Sequence, residues 1–443
     1  MSSDDYKETE MGLIPKEWEF ISIKNSPVEI IDGDRSSNYP KRDELLNEGD
    51  LPFLSTKNIK NNRFNFNDAV FVTKEKFDSI NKGKLNENDI VMTTRGSVGN
   101  VALFKNLPFK SALINAQMLI FRSNSKYLSS QYLYYLLTSN FLQKQFNTFS
   151  SGSAQPQLPI SHLKSINLII PSLKEQNSIA KILTDLDKKI ELNHEMNRTL
   201  EAMGQAIFRH WFVHFEFPDK EGRSYKSSGG EMVDSELGEI PKGWKIGKLK
   251  DVGKIICGKT PPKSKQEYFG GEVPFIKIPD MHGQTFVVKT EDSLTQEGKK
   301  FQQNKTLPAN SVCISCIATV GLVCITPQDS QTNQQINSII PQYEFFTPYL
   351  YYKMSSIKDF IEILASGGSA TLNLNTKNFS NIDIIIPSDE VLKKYYRIVK
   401  LLFDHILNNQ IQNENLSQLR DSLLPKLMSG KIRVNIPEEA TVK

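Results

Sequence analysis

Four stretches of this chain carry residues whose types and spacing could do chemistry. The first is Gly253-Lys-Ile-Ile-Cys-Gly258-Lys259-Thr260, which matches the phosphate-binding pattern GxxxxGK[ST]. Such a loop needs a helix that starts at its Lys-Thr, so that backbone amides cradle a phosphate. Pro261 and Pro262 follow at once, and each disfavours helical geometry in the residue before it. The Ile-Ile-Cys interior is strand-like, so a bound nucleotide is not expected. The second is Cys313-x-x-Cys316. A structural zinc wants four ligands, no second pair exists, and three residues apart on a strand point to opposite faces. Buried thiols are expected. The third is His210 and His214, four apart as in a two-histidine metal site, but without the adjacent glutamate of a zincin. The fourth, Pro218-Asp219-Lys-Glu221, has a nuclease-like Pro-Asp in a polar segment with no strand around it. No metal and no catalytic residue is therefore assigned, and with 6 histidines in 443 residues little is left to supply acid–base chemistry.

What positions such residues is an internal repeat, the feature to seek first in a long chain. Glu10-Met-Gly-Leu-Ile-Pro-Lys-Glu-Trp18 recurs as Glu236-Leu-Gly-Glu-Ile-Pro-Lys-Gly-Trp244. Val98-Gly99 recurs as Val320-Gly321, Asn115-Ala-Gln117 as Asn333-Gln-Gln335, Gly152-Ser-Ala as Gly368-Ser-Ala, and Ile166-Asn-Leu-Ile-Ile-Pro171 as Ile382-Asp-Ile-Ile-Ile-Pro387. The offset falls from 226 at the tryptophans to 222, then 218, then 216, and stays at 216. Loops accept insertions and packed helices do not, so each copy has a length-variable globule followed by a length-locked element.

The locked elements predict long helices. An apolar seam runs through Leu183, Leu186, Ile190, Asn193, Asn197 and Leu200, and at +216 through Val399, Leu402, Ile406, Asn409, Asn413 and Leu416. This is a coiled-coil period. Ser172 and Ser388 are the expected N-caps. A buried asparagine costs stability and fixes register, and two recur at one offset. Neither helix can bury its seam alone, so an antiparallel pair is expected. The globules read as mixed α/β, with strand-like runs at 89–94, 101–104, 117–121, 273–278, 312–317 and 323–326, and amphipathic helices at 127–147 and 348–365. The expected divisions are 1–171, a helix at 172–216, a polar Gly/Ser linker at 217–235, a second globule at 236–387, a helix at 388–430 and a tail at 431–443.

Hydrophobic residues make up 39% and charged residues 23% of the chain, as in a folded multidomain protein. No apolar run approaches the roughly 20 residues that span a bilayer, and the polar, acidic start is unlike a signal peptide. A cytoplasmic protein without membrane contact is expected. The net charge is only +4, but 51–150 holds 13 Lys/Arg against 5 acids, and 242–305 holds 13 Lys against 7. Two basic segments suit a polyanion held at two places.

The layout globule–helix–globule–helix resembles the specificity (S) subunits of Type I restriction-modification systems, over nearly the whole chain. The resemblance rests on residues 176–193, His210-Trp-Phe, the two Ile-Pro-Lys-x-Trp openings and Leu423-Leu-Pro-Lys-Leu-Met-Ser-Gly-Lys-Ile-Arg-Val434, with Thr94-Arg-Gly-Ser-Val-Gly99, Gly258-Lys-Thr-Pro-Pro262 and the Gly-Ser-Ala loops beside them. It implies an α+β chain in which two mixed α/β target recognition domains are separated by two long antiparallel coiled-coil helices, with pseudo-two-fold symmetry. Each globule then reads half of a split site on double-stranded DNA. The helices set the gap and dock two methyltransferase (M) subunits, which use S-adenosylmethionine. Motor-nuclease (R) subunits bring ATP and Mg2+, and the chain itself binds no cofactor. Phosphates need lysine and arginine, and bases need forked or amide side chains. The DNA-contacting candidates are Arg35, Lys41, Arg42, Lys57, Asn58, Arg95, Ser97, Gln117, Gln155 and Gln157 in the first copy. In the second they are Lys259, Thr260, Lys263, Lys277, Thr319, Asn333, Gln335, Ser369 and Asn373. The second copy lacks a counterpart of Arg95, and because the two globules differ in length and in these residues, unlike half-sites are expected. Two rival readings make different predictions. A scaffold that binds only protein shows no salt-dependent affinity for DNA, and a nucleotide-binding enzyme loses ATP on Lys259→Ala.

Overall fold

A computed structural model describes residues 5–150, 156–366 and 372–434. The chain divides into two compact units, Met1–Lys188 with Leu416–Lys443, and Lys189–Asn415. The expected divisions placed each long helix whole in one segment. Packing instead divides each helix between the units.

In the first unit a four-stranded antiparallel sheet runs in the order Val101–Leu103, Ile90–Thr93, Met118–Ser123, Val28–Asp32. Ile90–Thr93 is buried along its whole length, so its run of apolar residues packs on both faces. A smaller sheet sets Leu113–Ile114 parallel and Val70–Phe71 antiparallel to Pro52–Leu54. The second unit repeats both sheets. Its four strands run Val323–Ile325, Val312–Ser315, Ile336–Pro341, Gly253–Cys257, and its three run Gln331–Thr332, Phe269–Ile276, Asp292–Leu294. The expected strand runs all fall in these sheets. Both expected amphipathic helices are broken in two. Ser130–Thr138 gives way to Asn140–Thr148 at Ser139, whose ψ of 143° leaves the helix and whose side chain caps Leu142 N. Thr347–Ser356 gives way to Lys358–Ala365 at Ile357.

The long helices are Leu173–Phe212 and Asp389–Met428, 40 residues each. The Ser172 hydroxyl accepts from Glu175 N at 3.3 Å, while at the second helix Leu392 N donates to the Ser388 carbonyl. In the second unit the two helices run antiparallel. Asn193 Nδ2 donates to Asn413 Oδ1 and Asn409 Nδ2 to Asn197 Oδ1, both at 2.8 Å. In the first unit Arg420 Nη1 donates to Asp187 Oδ1 at 2.8 Å. Leu183, Ile190, Asn193, Val399, Ile406 and Asn413 are buried, while Leu186, Asn197, Leu200, Leu402, Asn409 and Leu416 are half-buried along the same seam. Among the described residues no helix is long and apolar enough to cross a membrane.

Each repeated tryptophan closes its unit. Trp18 Nε1 donates to the buried Glu175 at 2.9 Å, and Arg433 pairs with Glu175 at 2.8 Å while its guanidinium lies 5.7 Å from the Trp18 ring. Gly430 meets this tryptophan so closely, at a φ of 69°, that a Cβ there would stand 2.5 Å from Pro15 Cγ. In the second unit Trp244 stacks on Phe217 at 5.1 Å, and Phe217 on Tyr225 at 4.5 Å. Arg223 is paired with Asp219 at 3.0 Å, and Met232–Val233 pairs with Ile240–Pro241. The stretch 217–235, expected as a linker, is therefore folded, with Phe217 packed between Trp244 and Tyr225.

Candidate nucleic-acid interface

In the first unit three strand ends meet at one edge of the four-stranded sheet: the end of Val28–Asp32, the end of Ile90–Thr93 and the start of Met118–Ser123. Three loop pieces are laced together there. Thr94 N donates to Gln117 O at 2.8 Å and Leu158 N to Thr94 O at 2.9 Å, which brings Arg95 opposite Gln157. The buried Asn115 holds Gln117 by both ends of its amide. Its Nδ2 donates to Gln117 Oε1 at 3.3 Å, and its Oδ1 accepts from Gln117 N at 3.0 Å. Arg35 Nη2 donates to Ala116 O at 3.2 Å and pairs with Asp32 at 3.3 Å. Gly33 allows this approach, since a Cβ there would lie 2.3 Å from Asn115 O.

The second unit builds the same edge from different side chains. Cys316 N donates to Gln335 O at 2.8 Å and Leu374 N to Cys316 O at 2.9 Å, which sets Ile317 opposite Asn373. Asn333 holds Gln335 with Nδ2 to Oε1 at 2.9 Å and N to Oδ1 at 3.1 Å. Thr260 Oγ1 donates to Gln334 Oε1 at 2.7 Å. A Cβ on Gly258 would lie 2.1 Å from Asn333 O. Gly33 and Gly258 end matching Ile-Ile-x-Gly stretches, at 30–33 and 255–258. The phosphate-loop look-alike is thus the second copy of a sheet-edge turn. Gly253–Cys257 is a strand, and Lys259 N bonds to Thr332 O at 2.9 Å instead of opening a helix.

The edge gathers Arg35, Arg95, Gln117 and Gln157 in one unit, and Thr260, Gln335 and Asn373 in the other. Ser97 and Thr319 are exposed on the turns that leave it, and Lys259 and Lys263 are exposed beside Thr260. Lys57 is exposed three residues beyond Leu54, whose carbonyl accepts from Asn115 N. Lys41 and Arg42 sit at a separate turn, Arg42–Glu44, where Lys41 N donates to Glu44 at 2.7 Å and Glu44 pairs with Lys76 at 2.8 Å. The ammonium of Lys277 is taken by Asp292.

Two candidates are corrected. Asn58 is only 3% exposed, and its amide is spent inside its own loop, accepting from Ser55 N and donating to Asn65 O. Asn333 is buried with its amide on Gln335, so it positions a neighbour and does not face a ligand. Gln155 and Ser369 lie outside the described residues. The sequence reading missed Gln334, exposed between the two repeated residues of Asn-x-Gln, and the clamping role of Asn115. Their signal was the recurrence of Asn-x-Gln itself.

Among the described residues no three histidine, cysteine, aspartate or glutamate side chains gather as metal ligands. Cys313 and Cys324 face each other across paired strands, buried and unoxidised, and His210 and His214 are exposed. The second unit also carries an open pocket of about 520 Å3 beside Glu201, Thr285 and Tyr351. Burial pushes the Glu201 carboxyl above the ordinary glutamate range, against hydrogen bonds from Tyr351, Thr285 and Tyr352.

A family model described as the Type I restriction modification DNA specificity domain matches residues 15–202 and again 241–419. The chain is 36% identical to the Type I restriction enzyme HindI specificity subunit of Haemophilus influenzae, over 90% of this chain and 98% of that one. It is 27% identical to the MjaIX specificity subunit of Methanocaldococcus jannaschii, over 97% of each. The crystal structure of a Type I restriction-modification S subunit from M. genitalium has the same fold, with a TM-score of 0.57 at 16% identity over 96% of this chain and 97% of that one.

Proposed function

This chain belongs to the Type I restriction modification DNA specificity domain family, and from that premise we propose that each of its units reads one half of a bipartite, asymmetric DNA site. The carrying observation is the polar edge built twice on one framework with unlike side chains, Arg35 on Ala116 O in one unit against Thr260 on Gln334 in the other. A common framework gives both units the same approach to a duplex. Unlike side chains give them different base preferences. Exposed Lys57, Lys259 and Lys263, none in an ion pair among the described residues, supply charge for the phosphates.

The paired helices set the spacing and dock two methyltransferase subunits. Large apolar side chains stand exposed at positions that repeat at +216: Ile182 at 38% and Ile398 at 44%, Met203 at 48% and Leu419 at 46%. A surface duplicated by the repeat suits two copies of one partner. This chain contributes no catalysis. The methyltransferase supplies adenine methylation with S-adenosylmethionine, motor-nuclease subunits supply cleavage with ATP and Mg2+, and the assembly works in the cytoplasm. The test is co-expression with the candidate methyltransferase, followed by mapping of methylated adenines in genomic DNA. A split motif is expected, with one half changing when residues 236–370 are exchanged. A stable complex with no motif refutes the reading.

A further inference from the structure

In both units the residue two places after the sheet-edge glycine closes on the middle residue of Asn-x-Gln. In one unit Arg35 reaches Ala116 O, and in the other Thr260 reaches Gln334 Oε1. The glycines, the asparagine clamps and the clamped glutamines are common to both edges, and at this contact the two frameworks present different chemistry at one place. We infer that it is a specificity-determining position, at which Arg35 selects guanine in one half-site and Gln334, held by Thr260, selects adenine in the other. The inference rests on the proposed DNA-reading role and names the residues that carry it.

The chemistry follows from what each side chain has left to offer. Arg35 spends Nη2 on Ala116 O and Asp32. Its Nε and Nη1 donate to nothing among the described residues. An arginine offers only donors, and guanine offers two acceptors, O6 and N7, on its major-groove edge. Asp32 and the Ala116 carbonyl hold the guanidinium at Nη2, which leaves the free Nη1 to donate to guanine, and a pre-set donor loses less freedom on binding.

Gln334 is exposed, and its oxygen takes the Thr260 hydroxyl on one of two lone pairs. One acceptor site and both Nε2 hydrogens remain without a partner among the described residues. That is the pattern that accepts from adenine N6 and donates to adenine N7. Gln335 and Gln117, whose oxygens are held by Asn333 and Asn115, are the constant partners of the two edges.

The test uses the full chain in complex with its methyltransferase, with wild type and two variants selecting from random duplexes. Gln334→Glu exchanges the donor amide for an acceptor on an exposed side chain. It should shift one position of one half-site from adenine toward cytosine, with at least a tenfold loss of preference for adenine. Thr260→Arg with Gln334→Ala should shift the same position toward guanine. The other half-site should be unchanged in both. A wild-type complex that selects a bipartite motif, kept intact by both variants, overturns this assignment alone. A wild-type complex that selects no motif overturns the DNA-reading role, and the assignment with it.

Discussion

Asn193 donates to Asn413 across the helix pair at 2.8 Å, and four residues along Asn409 donates to Asn197 at the same distance. Since the repeat relates 193 to 409 and 197 to 413, each bond joins residues that are not each other's counterparts. Exchanging the two copies exchanges the two bonds. Asn193 is fully buried, and its Nδ2 also donates to Gln412 Oε1. Asn193→Ala leaves both acceptors without this donor, which costs about 1–3 kcal/mol. Replacing both Asn193 and Asn413 with leucine should recover that loss, because a paired polar group exchanged for an apolar pair is often neutral or stabilising. Urea unfolding midpoints of the wild type, the single variant and the double variant check this. A double variant as unstable as the single one would show that packing, not pairing, dominates the site.

The buried Glu201 predicts a pH effect of defined sign. Burial raises its carboxyl above the ordinary value of 4.5, so the folded chain holds this proton at pH values where the unfolded chain has released it. Below 4.5 both states are protonated and the penalty is absent. As the pH rises from there through the folded value, stability is lost, and above that value the loss is complete. Glu201→Gln keeps an acceptor for Thr285 and Tyr351 and removes the charge. The melting temperature of the variant should therefore exceed that of the wild type by more at pH 7 than at pH 4.5. Asp34 acts with the opposite sign in both proteins. Burial opposes its ionisation, but hydrogen bonds from the Ser36 hydroxyl and the Ser36, Lys82 and Asn81 amides outweigh this and hold its pKa low. Only the difference between variant and wild type isolates Glu201. Equal differences at both pH values would refute the assignment.

The architecture was legible where the signal was periodic or repeated. Alternation and apolar runs located the strands, and a gap-free +216 register located two helices of equal length. What escaped depends on contacts that periodicity does not encode. Phe217 and Tyr225 sit in a Gly/Ser-rich stretch whose composition reads as open chain, and the stacking of Tyr225 on Phe217 and of Phe217 on Trp244 helps make it structure. Ser139 interrupts an unbroken amphipathic pattern because it caps Leu142 N. At the interface, composition could nominate amides but could not separate Gln117, presented at the surface, from Asn58, folded into its own turn. Gln334 went unnoticed because its counterpart is Ala116, which carries no polar group to compare.

The duplicated apolar positions on the helices predict a stoichiometry. Ile182 belongs to the first unit and Ile398 to the second. A glutamate at either position places an unpaired charge in a surface meant for desolvation. Ile182→Glu and Ile398→Glu should each leave a complex with one methyltransferase subunit, and the double variant should leave none. Native mass spectrometry of the purified complexes reads this directly. If either single variant loses both subunits, the two docking sites are not independent copies.

Arg95 predicts a salt effect that the second unit can be made to copy. It lies opposite Gln157 at the laced edge, half-exposed and without an ion pair among the described residues, and the same place in the second unit holds Ile317 opposite Asn373. With an isoleucine at the matching place, the prediction is that Arg95 serves a phosphate and not a base. Removing one phosphate contact lowers the slope of log affinity against log salt by about 0.9 and weakens binding to all sequences alike. Arg95→Ala in the full complex should show that change, with both halves of the motif retained. Ile317→Arg should steepen the slope by about the same amount, since it adds a cation at the matching position. Affinities titrated between roughly 50 and 200 mM salt separate the alternatives. A change of base preference at one position, with the slope unaltered, would move Arg95 from the phosphates to the bases.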